Sequence, residues 1–508
     1  MCTTLMLLVA AAVVLHPPIV PHTNPKDADF AGSRSFTNGQ KIVLTPYFYW
    51  YDVETGAHIR NHDGTDALTT HPLSLEGFTF RSEGWHRKQL LDMIEAGIDV
   101  LLPVYWGEPS QRIENARISQ QSWSFAGLPQ LINAREKLIA EGNDPPRIGL
   151  FYDTSTLQWN HAHRRVDLTT DEGRQWFYET IRDFFSLVPP VHWAMIDGHP
   201  VVFLYSAQFA TAHDQACFDY LKQSFARDFS GRTPFVVREM SWKVNTDSVY
   251  AWGGALGLKR HSVVSLGPGY DHSAVPGRQP LIVPREDGHF YERNWVRFLR
   301  KPGSMVFLET WNEFHEGTDI AESREYGRTY ITLTRKFTDM FRRGEVPHLE
   351  NGLFTSANNV EMSCSTTNGE HGVKLVNVPD GLVRSDVLDG VAFLLSVTNK
   401  TGGRYMYFRI DESFKRGETM MANVEVEYHD GGAGWFSLQF DGSDTNAPFS
   451  GAYTDCPVAI TLQGSNLWKT VVFRLDCARF ANSENGNADF RIVVQSDPFR
   501  LKRISIAR

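Results

Sequence analysis

From residue 41 to about residue 344, short β-branched or aromatic runs alternate with longer amphipathic stretches, and no other feature restricts the fold of this chain as much. Strands separated by helices pack side by side and parallel, because each crossover helix must return to the sheet it left. Eight strands are expected, at 42–50, 98–106, 147–153, 200–205, 234–239, 248–252, 262–266 and 304–310. Between them lie helical patterns with apolar residues recurring at three and four, at 85–96, 128–141, 171–185 and 214–229, and a closing helix follows at 324–343. This succession predicts an α/β fold, a (β/α)8 barrel.

In such a barrel the reactive groups gather at the C-terminal ends of the strands. Those ends are aromatic and acidic here: YFYWYD at 47–52, VYWGE at 104–108, FYD at 151–153, REMSW at 238–242, GPGYD at 267–271 and WNEFHEG at 311–317. A strand that only fills a core can end in Val or Leu, whereas rings and carboxylates on one rim suit a polar ligand with apolar faces, such as a sugar. Tyr49, Trp50, Tyr105 and Trp106 are candidates for stacking on pyranose rings, Asp153, Glu239 and Asn312 for hydrogen bonds to hydroxyls, and Tyr270 and His315 for further contacts. Glycosidic hydrolysis needs one group to protonate the leaving oxygen and another to handle the charge developing at the anomeric carbon. Glu313 and Glu316, three residues apart, can do both; in a helical turn their side chains would start about 5–6 Å apart. The same spacing also describes two solvated acids in a surface loop.

Helical periodicity stops after Gly344. From about residue 373 to 508 the runs YMYFRI, ANVEVEYHD, GWFSLQF, VAITL, WKTVVFRL and DFRIVV alternate apolar and polar residues between turns, as in an all-β, antiparallel sandwich of jelly-roll type. The expected organisation is a signal peptide or disordered start at 1–28, the catalytic barrel at 29–350, a linker at 351–372 and the sandwich at 373–508. That sandwich binds carbohydrate or braces the barrel, and Trp435, Tyr453 and Trp468 belong to a sugar platform or to its core. The turn from Asp441 to Asp444 is a candidate for a structural calcium; no other cofactor is required. Cys217, Cys364, Cys456 and Cys477 show neither CxxC nor zinc spacing, which leaves free thiols or a Cys456–Cys477 disulfide.

A net charge of −9 excludes the strongly basic surface that holds nucleic acid, and the expected partner is a polysaccharide or oligosaccharide. The apolar run from Leu5 to Leu15 is too short to span a bilayer and lies where a signal peptide has its apolar region, although no Lys or Arg precedes it. It predicts a secreted protein, extracellular or periplasmic. No other stretch approaches the roughly 20 apolar residues of a membrane helix.

TWNEFHEGTDIAES, at 310–323, resembles the signature of glycoside hydrolase family 99, the endo-α-mannosidases and endo-α-mannanases, which runs approximately NEWHEGTxIE. The match falls on Asn312, Glu313, His315, Glu316, Gly317, Thr318 and Ile320, with Phe314 in place of Trp and the later Glu shifted to Glu322. VSLGPGYD at 264–271 and REDGHFYERNW at 285–295 are similar to the family's GPGY and R-x-x-G-x-Y-Y segments, which puts Arg285 and Tyr291 on matching positions. PYFYWYD resembles its aromatic first strand. The resemblance covers the barrel and leaves out the sandwich. It implies a retaining, endo-acting hydrolase of α-linked glycans that works through a 1,2-anhydro sugar, with Glu313 as base toward the 2-hydroxyl and Glu316 as general acid. Burial beside Glu313 and the rings of Tyr270 and Trp311 is expected to keep Glu316 protonated. Where the family has a HIEP-like stretch this chain has FYDTS, with Asp153 as the stand-in, so the endo-α-mannosidase- or mannanase-like substrate that the resemblance implies rests on the other motifs. Two other readings stay open: a carbohydrate-binding protein without catalysis, and a hydrolase that pairs Asp153 or Glu239 with one of the two glutamates.

Overall fold

The computed structural model describes residues 22–109, 123–160, 162–278, 281–347, 353–364, 369–398, 404–415, 419–444, 446–497 and 499–508; the apolar run from Leu5 to Leu15 lies outside them. The N-terminal part is mixed α/β. Its parallel strands are β1 (Ile42–Tyr47), β2 (Val100–Tyr105), β3 (Leu150–Tyr152), β4 (His199–Leu204), β5 (Phe235–Glu239), β6 (Ser248–Tyr250), β7 (Val263–Leu266) and β8 (Met305–Leu308). They occupy the eight stretches expected from the sequence.

The strands pair in chain order from β1 to β6, and β8 pairs with both β7 and β1, through Val263↔Met305 and Met305↔Ile42. Among the described residues no backbone ladder joins β6 to β7. Ser262 bridges them instead, its hydroxyl accepting from Val249 N–H at 2.8 Å and lying 2.7 Å from the Ser248 hydroxyl. Phe307 of β8 stacks on Phe203 of β4 at 5.1 Å and on Phe151 of β3 at 6.2 Å. Rings from strands that are not neighbours can meet only if the sheet curls, so these three form a floor inside the curve.

Among the described residues six α-helices cover the outside: α1 (Glu83–Ala96), α2 (Trp123–Ala140), α3 (Asp171–Leu187), α4 (Gln215–Asp228), α5 (His289–Arg300) and α6 (Thr329–Arg343). Helix α1 starts where the Ser82 hydroxyl accepts from Trp85 N–H at 3.2 Å and ends at Gly97, φ 80°. A Cβ at Gly97 would lie 2.6 Å from the Thr338 hydroxyl of α6, so the glycine also permits the two helices to approach. The connections after β5 and β6 carry no α-helix; the first is too short for a helical crossover, and the second holds only the 3₁₀ turn Gly254–Leu256.

The C-terminal region is separate and antiparallel. Among the described residues seven strands, including Met420–His429, Trp468–Ala478 and Arg500–Ala507, form one sheet, and five, including Ala433–Phe440 and Phe490–Asp497, form another. Val424, Phe473 and Ile506 from the first share one apolar core with Phe436, Phe408 and Ile492 from the second. Trp435 is exposed, and Trp468 packs edge-on against His429. Asp441 is buried, its carboxylate committed to Arg479 and to the N–H groups of Ala481 and Ser483. Cys217, Cys364, Cys456 and Cys477 are free thiols.

The two regions are joined by directed polar contacts. Arg297 of α5 donates to Ala481 O at 2.9 Å and to Asn482 Oδ1 at 3.1 Å, and Asn487 donates to Pro284 O at 2.6 Å. No helix among the described residues is long and apolar enough to cross a membrane.

Candidate active site

Residues at or just beyond the C-terminal ends of every strand except β5 line one cleft of about 680 Å³. Side chains keep alternating just past the ends of β1 and β2, and this decides which of the aromatic residues reach the cleft. Phe48 and Trp50 line the cleft, whereas Tyr47, Tyr49 and Tyr51 are buried on the other side of the chain. Tyr49 donates to Ser124 O at 2.8 Å and packs against Trp123 of α2. Likewise Trp106 lines the cleft, while Tyr105 is buried against Phe125 and Phe184. The structure therefore places Tyr49 and Tyr105 behind the wall, not in it.

Among the described residues four carboxyl groups line the cleft: Asp153, Glu309, Glu313 and Glu316. The last two stand on a loop that closes on itself, Thr310 N–H donating to Thr318 O at 2.9 Å and Ile320 N–H to Thr310 O at 3.1 Å. Residues 313–317 form a turn rather than a helix, ending at Gly317, φ 52°. Asn312 does not line the cleft. Its side chain accepts from Phe48 N–H at 2.8 Å and donates to Phe48 O at 2.7 Å, pairing the loop to the end of β1 as a backbone strand would. Arg285 holds the other side of the loop, donating to Gly317 O at 2.9 Å and to Asp319 O and Oδ1 at 2.8 and 2.7 Å. Tyr326 and Tyr330 stack on its guanidinium. Tyr291 is buried, its hydroxyl 2.9 Å from that of Thr334. Arg285 and Tyr291 thus set the loop and its supporting helices.

Glu313 and Glu316 differ in environment. The Glu313 side chain is 5% exposed and that of Glu316 19%. Glu313 Oε1 accepts from His315 N–H at 3.1 Å and lies 2.7 Å from His315 Nδ1, while its buried Oε2 has no hydrogen-bond partner. Burial raises the Glu313 carboxyl above its ordinary range; His315 opposes this and the charge of Glu316 adds to it. Glu316 forms an ion pair with Arg278, which also reaches the hydroxyl of Tyr270 at 3.4 Å. Trp311 points the other way, its ring N–H donating to Gln89 on α1 at 2.7 Å. Burial thus falls most heavily on Glu313, while Glu316 is paired with Arg278 beside Tyr270 and the ring of Trp311 faces away from both.

Asp153 accepts from the indole N–H of Trp106 and from Ser155 N–H at 3.0 Å, and burial raises its carboxyl. Glu239 does not reach the cleft; its carboxylate accepts from Ser241 N–H at 2.8 Å and from the Ser241 hydroxyl. Three residues not expected from the sequence take prominent places. Glu309 Oε2 accepts from Gly253 N–H at 2.8 Å, its buried Oε1 has no partner, and burial pushes its pKa up to about 8. His58 stacks flat on Trp50 at 4.6 Å, and burial, with the nearby His315, lowers its pKa to about 3. Arg278 is the third. The GPGY motif has a local cause: a Cβ at Gly267 would lie 2.0 Å from Glu309 O, so only glycine lets the two chains touch there. Among the described residues no three His, Cys, Asp or Glu side chains converge as a metal site.

Fold and site together define a mixed α/β protein with an aromatic, carboxylate-bearing cleft at the ends of parallel strands, followed by an antiparallel β region. Residues 27–351 match the family described as a domain of unknown function, DUF5010, and the chain belongs to that family. The matching family is thus not the one that the loop motifs resemble. No curated protein matches the chain in sequence. Among solved structures it is similar to the GH99 endo-alpha-mannosidase from Bacteroides thetaiotaomicron, at 15% identity over 61% of this chain and 99% of that one, with a TM-score of 0.40. The same enzyme in complex with BIS-TRIS-propane gives 17% identity, 60% and 98% coverage and a TM-score of 0.43. The C-terminal CBM6 of a marine laminarinase from Zobellia galactanivorans aligns at 12% identity over 30% of this chain and all of that one (100%), with a TM-score of 0.19.

Proposed function

We propose that this protein is a retaining glycoside hydrolase acting on α-linked bonds within a polysaccharide or glycan, on a (β/α)8 barrel completed across β6 and β7. The observation that carries this reading is the placement of Glu313 and Glu316 on one clamped turn of an aromatic cleft, with the buried Oε2 of Glu313 unpartnered. An unpartnered buried oxygen is costly, and a sugar hydroxyl would supply its missing donor. Glu313 takes the proton of the 2-hydroxyl as the 2-oxygen attacks the anomeric carbon. The bond to the leaving oxygen breaks, and that oxygen receives the proton of Glu316. Water then opens the 1,2-anhydro sugar, giving one proton back to Glu316 while Glu313 returns its own to the 2-oxygen. A raised pKa makes Glu313 a stronger base. Proton donation by Glu316 requires its ion pair with Arg278 to open when the glycan binds. Trp50, Trp106 and Tyr270 offer apolar faces to the sugar rings, and no step requires a metal.

The test is incubation with a panel of α-linked polysaccharides, mannan first, with the anomeric form of new ends followed by NMR. Net retention is expected, and near-complete loss of activity in Glu313→Gln and in Glu316→Gln. Inverted product, or full activity in either variant, would overturn the assignment; tight binding without any fragments would point to a binding protein.

A further inference from the structure

The cleft continues beyond the strand ends. Leu256, Arg278 and Leu281 line it and also line a second groove of about 810 Å³, whose opposite wall is the C-terminal β region. That wall carries Phe449, a large apolar side chain that is 70% exposed. Its φ is 52°, a left-handed backbone that phenylalanine rarely adopts. Its carbonyl accepts from Lys259 Nζ at 3.3 Å, which anchors the turn to the N-terminal region, and its ring meets Tyr453 edge-on at 5.7 Å. Beside the rings runs a prearranged polar row. The Arg491 guanidinium lies over Tyr453 at 4.4 Å and donates to Gln439 Oε1 at 2.7 Å, and Gln439 donates to Asp455 at 2.8 Å.

An exposed ring beside a fixed row of guanidinium, amide and carboxylate matches the apolar faces and hydroxyl edges of neutral sugars. We propose that this groove is a distal subsite, and that it holds the continuation of the glycan chain whose scissile bond lies over Glu313 and Glu316. The proposal rests on the glycosidase reading for the identity of that bond. It makes the C-terminal region part of the substrate site and selects for polymeric substrate, with Arg278 at the junction of the two cavities.

The test compares Phe449→Ala with the wild type in two assays: kcat/KM on mannan against kcat/KM on an aryl α-mannobioside, and retardation in native gels containing mannan. Removing one stacking ring is expected to lower the polymer-to-short-substrate ratio about three- to tenfold, to weaken retardation in parallel, and to be rescued by Phe449→Trp. An unchanged ratio with unchanged retardation would overturn the subsite while leaving the hydrolase reading intact. If no polymer is cut, retardation of the wild type but not of Phe449→Ala would support the groove as a glycan site without the hydrolase. Equal retardation of the two, or none, would overturn it.

Discussion

Glu309 offers a quantitative check on the electrostatics of the cleft. Its carboxyl has an ordinary value of 4.5 and is held at about 8 in the fold, because burial outweighs the peptide N–H groups and Lys259 that favour its charge. Between those two values the folded protein keeps a proton that the unfolded chain has lost, so unfolding releases it. The stabilisation is complete below about pH 4.5, falls by about 1.4 kcal/mol for each pH unit, and is gone above pH 8. Over the whole window this is a few kcal/mol. Glu309→Gln keeps an acceptor for Gly253 N–H and the shape of the neutral acid, and it removes the titration. The two proteins are therefore expected to be close in stability near pH 5, and the variant to be the more stable by a few kcal/mol at pH 8. Urea unfolding at pH 5, 6, 7 and 8 followed by tryptophan fluorescence reads this directly. With a slope near 3 kcal/mol per molar urea, the midpoints should separate by roughly 1 M at the alkaline end. Parallel midpoints across the range would refute the neutral, buried Glu309.

Arg278→Ala removes the guanidinium that pairs with Glu316 and reaches the Tyr270 hydroxyl at 3.4 Å, so Glu316 loses its positioning partner and kcat/KM should fall several-fold; an unchanged kcat/KM would contradict a positioning role for the pair. Arg285→Lys loses the forked contacts to Gly317 and Asp319 that a single ammonium cannot reproduce, so kcat should drop at least tenfold with a smaller change in KM, accompanied by a lower unfolding midpoint. Gly267→Ala forces a methyl to within 2.0 Å of Glu309 O and should destabilise by several kcal/mol, beyond the range of an ordinary surface change; a midpoint within experimental error of the wild type would contradict the close approach.

The strands and the paired glutamates could be read from the chain alone, because both signals are local. β-branched and aromatic runs favour extended backbone wherever they occur, and the TWNEFHEGT loop carries its own turn residues. Which aromatic faces the cleft was not local. YFYWYD offers rings at successive positions, and only the pairing of the Phe48 backbone with Asn312, just past the end of β1, and the seat of Tyr49 against α2 leave Phe48 and Trp50 on the cleft. Glu309 reads as one more acid at a strand end until its partner, Gly253, arrives from 56 residues away. The partners of Glu313 and Glu316 were hidden for the same reason: Arg278 and His315 reach them through loops whose course is set by packing, and the desolvation of Glu313 is a property of the assembled cleft. The sequence by itself determined the order of elements and the chemistry available at their ends. Tertiary structure decided which of those groups meet, which lose water, and that the C-terminal region closes one side of the groove.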